Sequence, residues 1–406
     1  MKILRIGTEV NRSSIGRTME QLGILVQREG WESIIAYGRA ANESSSKIIK
    51  IGDNLSVYNH VLQTRLFDRH GLASYYATKS FLKKLDNIRP DLVHLHDIHG
   101  YYININLLFQ YLSKKNIPVV WTFHDCWAYT GHCAYYTEAG CEKWLTHCES
   151  CPLKKSYPSS ILIDRSYKNF ESKRKLFTSL KNLTIVSVSD WLKSEIEKSF
   201  MNNYPITTIH NGIDVNQFKP CGDTSDVAAK YSIPDDKIIL LACATAWSEN
   251  KGFSDYIALS RIIKKNYVIV LVGLPQKMIK QLPSNVIGIP RTDSVDELSK
   301  LYSLASVVLN LSKEETFGKT TVEGLACGTP GIVYDVTASP ELIDLETGFV
   351  IKKGDLQNVC EAVYELESRD IADLQIKCRN RALTLFNQET NYKKYIDLYK
   401  SILMLH

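Results

Sequence analysis

The feature that most constrains this chain is a repeated alternation of short apolar runs with longer amphipathic stretches. The apolar runs are almost continuously hydrophobic, which suits parallel strands covered on both faces. The stretches between them, such as MEQLGILVQREG and DELSKLYSLA, have helical spacing. The pattern predicts βαβ repetition carried out twice. The predicted strands are KILRIGTEV, ESIIAYG, DLVHLHD, PVVWTFHD and LTIVSVS, then KIILLACATAW, YVIVLVG, NVIGI, SVVLNLS and PGIVYDV.

A chain of 406 residues is too long for one ordinary core, so two domains are predicted. We expect two doubly wound, Rossmann-like α/β domains that face each other. The boundary is placed near IHNGIDVNQFKP, where Asn211-Gly212 is a turn signal and Pro220 begins a polar connector. The predicted divisions are an N-terminal domain (1–215), a C-terminal domain (216–385) and a C-terminal helix (386–406) that could pack on either domain, including back on the first.

Composition and charge exclude several classes of protein. Hydrophobic residues make up 44% and charged residues 23%, as in soluble globular proteins. The net charge of +5 is mild and does not by itself indicate nucleic-acid binding. The N-terminus lacks the apolar core and cleavage site of a signal peptide, and no apolar run approaches the roughly 18 residues that span a bilayer. The predicted location is the cytoplasm, where thiols stay reduced.

The segment EETFGKTTVEG follows the predicted strand SVVLNLS and places seven residues between Glu315 and Glu323. A helix is predicted to begin near Gly318. In parallel α/β sheets, ligands lie at the carboxyl ends of strands, beside helix N-termini whose free amides attract phosphate. Carboxylates accept hydrogen bonds from vicinal hydroxyls, so a sugar or ribose is a natural partner. In isolation, a loop acid and a helix-surface acid explain the pair equally well.

With its context, the segment resembles the E-x7-E motif of retaining family-4 glycosyltransferases of the GT-B fold, and the resemblance spans nearly the whole chain. It implies two Rossmann-like domains facing across a cleft. By this resemblance Glu323 would bind the ribose hydroxyls of a nucleotide-sugar donor, and Glu315 would contact the transferred sugar. Amides around Phe317 and Gly318 would hold the donor diphosphate. Further polar contacts would come from Lys319 and Thr320.

The segment ATAWSENKGF contains Lys251-Gly252, which resembles the phosphate-binding Lys-Gly of the family. A lysine beside a glycine turn can neutralise a leaving diphosphate, although a solvated loop lysine is the alternative. Family members often carry an arginine five or six residues earlier, where this chain has Thr245 and Ala246. The second diphosphate cation is therefore unassigned, and its candidates are Arg17 and Arg291.

The segment SNVIGIPR fits the strand and loop that flank the nucleotide base in the same family. Main-chain contacts between Gly288 and Pro290, with Arg291 beside them, would read the base edge. Because main-chain groups do this, the sequence does not discriminate UDP from GDP.

In the N-terminal half, the loop EVNRSSIGRT matches a family loop that touches the donor phosphate and the acceptor. Gly16 is the matching glycine, with Arg17 beside it, whereas Ser13-Ser14 replace the usual paired glycines. Gly16 could alternatively just begin a helix.

Histidines gather at two predicted strand ends. His124, next to Asp125, matches a family histidine that lines the cleft near the donor sugar, with a core or capping histidine as the alternative. His94 and His96 share one face of a strand, and His96 could touch acceptor or donor. Weaker candidates nearby are Asp97 and His99.

Five of the ten cysteines lie in the segment 126–151. In a reducing compartment this clustering favours metal over disulfides. Four thiolates fit a closed, structural zinc site, which leaves no open position for catalysis. His132 or His147 could replace one thiolate, and free thiols or a disulfide remain alternatives. The predicted ligands, with spacings C-x7-C-x6-C-x2-C, are Cys133, Cys141, Cys148 and Cys151. The resemblance to colanic-acid-biosynthesis-type glycosyltransferases through HDCWAYTGHCAYY assigns this insertion to that subgroup.

Residues 154–181 are rich in basic side chains. A solvated helix face is one explanation, and a surface for anionic lipid or a lipid-diphosphate acceptor is the other. The basic residues include Lys154, Lys155, Arg165, Lys168, Lys173, Arg174 and Lys175.

The resulting prediction is a retaining glycosyltransferase that uses a UDP- or GDP-sugar donor and a glycan or lipid-linked acceptor in surface polysaccharide biosynthesis. The resemblance implies no obligatory catalytic metal. The expected location is cytoplasmic, with peripheral contact at the inner membrane face, and no nucleic-acid partner is expected. The alternatives are a nucleotide-sugar epimerase of the same fold and a non-catalytic, zinc-stapled binding protein. A dinucleotide oxidoreductase is disfavoured because no GxGxxG follows the first strand.

Overall fold

Every strand pair in the two sheets of this protein is parallel. The structure is a computed structural model that describes residues 1–404. It divides into unit 1, residues 1–209 with the chain from Tyr392 onward, and unit 2, residues 210–391. The prediction of two doubly wound α/β units is confirmed.

Unit 1 contains a seven-stranded sheet in the order β3-β2-β1-β4-β5-β6-β7. Its strands are β1 (Lys2–Gly7), β2 (Glu32–Tyr37), β3 (Lys47–Lys50), β4 (Leu92–Leu95), β5 (Val119–Phe123), β6 (Leu183–Ser187) and β7 (Ile206–Thr208). The helices are α1 (Ser14–Arg28), α2 (Asn54–Phe67), α3 (Tyr75–Ile88), α4 (Ile105–Lys115), α5 (Ser166–Phe177) and α6 (Asp190–Lys198). Short 3-10 turns lie at Trp127–Tyr129 and Lys143–Leu145.

Unit 2 contains a six-stranded sheet in the order β10-β9-β8-β11-β12-β13. Its strands are β8 (Ile238–Cys243), β9 (Tyr267–Val272), β10 (Val286–Ile289), β11 (Val307–Asn310), β12 (Gly331–Tyr334) and β13 (Gly348–Ile351). The helices are α7 (Ser225–Lys230), α8 (Phe253–Ile262), α9 (Gln276–Ile279), α10 (Val295–Leu304), α11 (Lys319–Ala326), α12 (Leu356–Ser368) and α13 (Ile371–Leu385), and 3-10 turns lie at Glu249–Lys251 and Ser339–Leu342.

All ten predicted strands are present, and three further strands were not predicted. The three are β3, β7 and β13, and each lies at the edge of its sheet. Edge strands bury fewer side chains, so their sequences lack the continuous apolar run by which the others were identified. KIIK of β3, for example, contains no fully buried residue.

The last helix, α14 (Gln388–Met404), returns the chain to the core of unit 1. From Tyr392 onward its apolar face packs on residues of β1, α1, β5 and β6. The domain boundaries were predicted after residues 215 and 385. The structure divides the chain after Ile209 and after Asn391. The final two residues of the predicted segment 386–406 lie outside the described residues.

Tyrosine hydroxyls of α14 satisfy polar groups in this core. The Tyr399 hydroxyl and His94 Nδ1 are 2.6 Å apart, and Thr122 donates to the Tyr395 hydroxyl at 3.1 Å. His94 also contacts Thr122 through Nε2 at 2.8 Å and is fully buried. Both ring nitrogens of His94 are therefore paired inside the protein, and His94 acts as a core residue.

Across residues 1–404, no helix combines the length and apolar character that crossing a bilayer requires.

We expect Tyr399→Phe to lower the free energy of unfolding by about 1–3 kcal/mol, because it leaves a buried His94 nitrogen without a partner. Chemical denaturation of wild type and variant measures the difference. Tyr58→Phe is the matched control, since Tyr58 is 72% exposed. Equal stability of Tyr399→Phe and wild type would show that His94 does not depend on the tyrosine.

Candidate functional site

Both sheets change their direction of winding beside their first strand. In unit 1 the order proceeds from β1 to β3 on one side and from β4 to β7 on the other. In unit 2 it proceeds from β8 to β10 on one side and from β11 to β13 on the other. Loops leaving the carboxyl ends of the two central strands diverge at such a point, and ligands of α/β sheets bind there. Most of the predicted site residues follow β1, β4, β8 or β11.

In unit 2, the loop after β8 is held against the segment after β11. Gly252 ends this loop with φ 70°, and a Cβ there would lie 2.1 Å from the Leu311 carbonyl oxygen. Only glycine permits this close approach. The Lys251 ammonium forms an ion pair with the Glu315 carboxylate. The fold thus brings together two residues that the sequence separates by 64 positions.

The backbone around Glu315 is fixed by its neighbours. Its N–H donates to the Thr337 hydroxyl at 2.8 Å, and its carbonyl accepts from Ala338 N–H at 3.1 Å. The Glu315 side chain remains 15% exposed. Because the main chain is held on both sides, the carboxylate has a defined position beside Lys251.

Helix α11 begins directly after this segment without a side-chain cap. Gly318 occupies the N-cap position with φ 98°, and a Cβ there would lie 2.9 Å from Leu342 Cδ1. Phe317 is buried, whereas Lys319 and Thr320 are half-buried in the first turn. Amides in the first turn of a helix have no intrahelical partner and carry a partial positive charge. This end of α11 can therefore accept an anion.

Glu323 lies in the second turn of α11 and is half-buried. Its Oε2 accepts a hydrogen bond from the Tyr302 hydroxyl at 2.9 Å. Tyr302 itself is fully buried, so it fixes the carboxylate from the core side. The two glutamates of the E-x7-E segment are thus each held by residues from elsewhere in unit 2.

The predicted base-reading residues lie at the end of β10. A Cβ on Gly288 would lie 2.7 Å from Leu282 Cδ1, so a larger residue there would displace the ends of neighbouring apolar side chains. The Ile289 carbonyl accepts from Gly273 and Leu274 N–H groups at 2.8 and 3.1 Å. Pro290 and Arg291 follow and are exposed.

In unit 1, the loops after β1 and β4 are joined through Asp97. Thr8 N–H donates to Asp97 Oδ1 at 3.0 Å, and the Thr8 hydroxyl donates to the His99 carbonyl at 3.0 Å. Burial raises the pKa of Asp97 above its ordinary value, against the opposing influence of His99 and Thr8. A half-buried carboxyl group therefore lies at the switch point of this sheet.

His96 and His124 are neighbours at the carboxyl ends of β4 and β5. His96 Nδ1 and His124 Nε2 are 3.0 Å apart, and the two rings stack with centroids separated by 5.3 Å. His96 is buried and His124 half-buried. Burial holds the pKa of His96 well below its ordinary value, with further lowering by His94 and His124.

His99 forms a half-buried ion pair with Asp125, with Nε2 and Oδ2 3.0 Å apart. Burial alone would lower the pKa of His99, but the attraction of Asp125 outweighs it, and the pKa is raised. Burial opposes ionisation of Asp125 as well, yet His99 holds the pKa of Asp125 below its ordinary value. The Tyr157 hydroxyl contacts His99 Nδ1 at 3.0 Å. Each partner thus favours the charged form of the other.

Gly16 lies buried in the first turn of α1. Its N–H donates to the Ser13 hydroxyl at 3.3 Å, and a Cβ would lie 3.0 Å from the Glu9 carbonyl oxygen. Arg17 beside it is exposed. Gly16 thus lies at the N-terminus of α1, where its amide is capped by Ser13. Its lack of a side chain also allows the loop after β1 to pack closely against this helix.

The expectation that Lys173 belongs to a solvated or lipid-binding basic face is wrong. Lys173 is only 3% exposed. It donates to the carbonyl oxygens of Trp127 and Thr130 at 2.6 and 3.1 Å, and it lies over the Trp127 ring at 3.5 Å. Burial lowers the pKa of Lys173 to about 7.

Sequence reasoning also missed the residues that position the site. Tyr302, Thr337 and Tyr157 hold Glu323, Glu315 and His99 respectively. Each lies at least 21 positions from its partner along the chain. No local pattern signals a contact over such distances.

Two family models match the chain. The model for Glycosyltransferase Family 4 matches residues 15–217, and the model for Glycosyl transferases group 1 matches residues 237–369. The chain belongs to glycosyltransferase family 4. The predicted family and glycosyltransferase activity are thereby confirmed.

Relatives of this glycosyltransferase match along most of its length. The putative colanic acid biosynthesis glycosyl transferase WcaC of Escherichia coli K12 is 23% identical over 384 residues, 91% of each chain. Sucrose-phosphate synthase from Thermosynechococcus elongatus superposes with a TM-score of 0.72 and 17% identity over 100% of both chains. Anabaena HepE in complex with UDP-glucose gives a TM-score of 0.66 and 13% identity, covering 99% of this chain and 100% of that one. These similarities confirm the predicted GT-B fold.

The His99–Asp125 pair should make the stability of this glycosyltransferase depend on pH. Its contribution is complete between about pH 4 and pH 6.5, and it is lost as pH rises through the raised pKa of His99. We expect His99→Gln to lower the melting temperature more at pH 6 than at pH 9. Each kcal/mol of stability that the pair contributes at pH 6 but not at pH 9 corresponds to about 2–4 °C of this difference. Thermal unfolding across this pH range measures the effect.

The surface variant Asp86→Asn is the control, because Asp86 pairs with Lys115 in solvent. Its effect should not change between pH 6 and pH 9, since this surface pair contains no histidine. If the difference in melting temperature between His99→Gln and wild type were the same at pH 6 and pH 9, a charged pair would be contradicted.

Proposed function

We propose that this glycosyltransferase transfers a sugar, with retention of anomeric configuration, from a nucleotide-sugar donor to a glycan or lipid-linked acceptor. The observation that carries the proposal is the Lys251–Glu315 pair beside the uncapped start of α11. A cation and a helix N-terminus suit a diphosphate, while the neighbouring carboxylate suits sugar hydroxyls. These are the recognition groups that a nucleotide sugar requires.

In the proposal, each part of the donor has a partner in unit 2. The diphosphate lies at the amides of Gly318 and Lys319, with the Lys251 ammonium as its countercharge. Glu315 accepts hydrogen bonds from the transferred sugar. Glu323, held by Tyr302, accepts from the ribose hydroxyls, and the base lies near Gly288, Pro290 and Arg291.

Catalysis then depends on stabilising the leaving diphosphate. Negative charge develops on it as the glycosidic bond breaks, and fixed positive charge from Lys251 and α11 lowers the barrier without requiring reorganisation. The acceptor hydroxyl attacks on the face that the diphosphate leaves, and a diphosphate oxygen takes its proton. Lys251 is thus both a binding and a catalytic residue, and no catalytic metal is required.

Unit 1 is proposed to serve the acceptor. His124 would contact the transferred sugar, as the family resemblance implies, with His96 positioning its ring. Gly16 and Arg17 would lie near the donor phosphate and acceptor. Asp97 and the His99–Asp125 pair supply polar groups at the same sheet edge for acceptor hydroxyls.

The named relatives support particular parts of the proposal. WcaC is named for colanic acid biosynthesis, which favours a surface polysaccharide as the product. The HepE structure contains UDP-glucose, which favours a UDP-sugar. A phosphatidylinositol dimannoside mannosyltransferase of Mycobacterium tuberculosis, 24% identical over 47% of this chain, is named as dependent on GDP-mannose, so a GDP-sugar remains in the proposal.

We also propose peripheral contact with the inner face of the cytoplasmic membrane. Leu55, Tyr58 and Leu62 lie on one face of α2 and are 76%, 72% and 55% exposed. Ile161 N–H donates to the Arg65 carbonyl at 2.7 Å, which joins the exposed segment Ile161-Leu162-Ile163 to the end of this helix. Lys154 donates to the Leu162 carbonyl at 3.4 Å. Apolar side chains beside Arg65 and Lys154 suit an anionic lipid surface.

We expect Glu323→Ala to weaken binding of the preferred nucleotide, UDP or GDP, by about 10- to 150-fold. A net loss equivalent to one hydrogen bond from ribose to a carboxylate costs about 1.5–3 kcal/mol. Isothermal titration calorimetry with both nucleotides measures this. Glu361→Ala, an exposed acid on α12, is the control and should bind as wild type does. Binding of neither nucleotide by wild type would contradict the proposed donor site.

For the membrane contact, we expect the double variant Leu62→Asp/Leu162→Asp to bind anionic phosphatidylglycerol vesicles at least about tenfold more weakly than wild type. Vesicle co-sedimentation measures binding. The control is Ile376→Asp, which replaces a similarly exposed apolar side chain on α13 of unit 2. If Ile376→Asp lost as much vesicle binding as the double variant, or if the double variant lost none, the membrane contact would not lie at this surface.

A further inference from the structure

The segment after β5 folds four cysteine side chains around one small cavity. Its volume is about 10 Å³, and its lining includes Tyr136 and Trp144. A cavity of this size holds about one water-sized particle. The cysteines that line it are Cys133, Cys141, Cys148 and Cys151.

A backbone amide is directed at one of the sulfurs. Gly131 N–H donates to Cys148 Sγ at 3.2 Å. No side chain fits at Gly131, because a Cβ would lie 2.3 Å from the Ser166 carbonyl oxygen and 2.6 Å from Cys148 Cβ. A hydrogen bond of this kind stabilises negative charge on sulfur.

His132 lines the same cavity with an unsatisfied nitrogen. Its Nδ1 is 2.7 Å from Asp68 Oδ1, and the pair is almost completely buried. Its Nε2 is buried and, among the described residues, has no hydrogen-bond partner. Because Asp68 holds Nδ1, the ring is fixed and Nε2 has a defined direction at the cavity wall.

Lys173 supplies a buried positive charge next to these thiols. Its ammonium is bound to two carbonyl oxygens and to the Trp127 ring. One of these carbonyls belongs to Thr130, whose hydroxyl donates to the Cys133 carbonyl oxygen at 2.5 Å. A buried ammonium is costly unless negative charge lies near it. Ionised sulfurs in the cavity would provide that charge.

We propose that this cavity binds one structural zinc ion through four thiolates, those of Cys133, Cys141, Cys148 and Cys151. Zn²⁺ replaces four thiol protons, which pass to solvent, and the resulting centre has a net charge of −2. Gly131 N–H and the Lys173 ammonium stabilise this charge from outside the ligand set. The proposal does not depend on the identity of the donor or acceptor.

Zinc would draw the sulfurs together. Within residues 1–404, no three of these cysteine sulfurs all lie within 4.8 Å of one another. In a tetrahedral site with Zn–S bonds of about 2.3 Å, neighbouring sulfurs are about 3.8 Å apart. Metal binding therefore contracts the segment around the ion and should stabilise it strongly.

The contraction would secure one side of the candidate acceptor site. Trp127 N–H donates to Asp125 Oδ1 at 2.9 Å, and Lys173 binds the Trp127 carbonyl. Asp125 in turn pairs with His99. The zinc centre is thus connected to the His99–Asp125 pair through Trp127, and its role is to fix this loop rather than to take part in chemistry.

The test is the metal content of the full chain, purified under reducing conditions without chelator. Inductively coupled plasma mass spectrometry should give about one zinc per chain for wild type and less than about 0.1 zinc per chain for Cys148→Ser. Cys221→Ser in unit 2, outside the segment, should keep about one zinc. A strong chelator should lower the wild-type melting temperature, and Zn²⁺ but not Mg²⁺ should restore it.

Because Cys148→Ser could fail to fold, cobalt substitution of wild type gives a second measurement. Apo protein loaded with Co²⁺ should show the intense thiolate-to-cobalt absorption of a tetrahedral, four-sulfur site, and His132→Gln should leave its position unchanged. Failure of wild type to hold or take up zinc would overturn the proposal. So would a Cys133–Cys151 disulfide in the reduced, stable protein, or a His132→Gln shift of the cobalt spectrum.

Discussion

The reversal of winding beside β1 and β8 is the constraint on which the rest of this structure depends. All strands are parallel, so every strand in a sheet delivers its carboxyl end to the same edge. Where the winding reverses, the two central loops leave in opposite directions, and an opening forms between them. Lys251 and Glu315 meet at the opening of unit 2, and Thr8 meets Asp97 at that of unit 1. Side chains distant in sequence become neighbours for this reason alone.

Polar groups in the core of unit 1 require partners that strands cannot supply. His94 lies on a central strand with both ring nitrogens away from water, and an unpaired buried nitrogen would be costly. The return of α14 provides the Tyr399 hydroxyl at this position, while Tyr395 contacts Thr122. The chain from Tyr392 onward is therefore part of the first unit's core rather than an appendage to the second.

The prediction succeeded where the signal was local. Near-continuous apolar runs located all ten predicted strands, and Gly318 was correctly placed at the start of a helix. It failed for β3, β7 and β13, because short edge strands are only partly buried. It also failed for Lys173, since a helix with several basic side chains gives no indication that one lysine points inward to Trp127. The site residues of E-x7-E and Lys-Gly could be named from their motifs, but their pairing could not.

The sequence by itself determined the class of fold, the family and the identity of the candidate donor-binding groups. Those properties follow from periodicity and from short motifs, which need no knowledge of distant residues. Only the tertiary structure decided which groups interact: Lys251 with Glu315, Glu323 with Tyr302, and His99 with Asp125. The physical reason is that charge and hydrogen bonding act over a few ångströms, and the fold decides which residues lie within that distance.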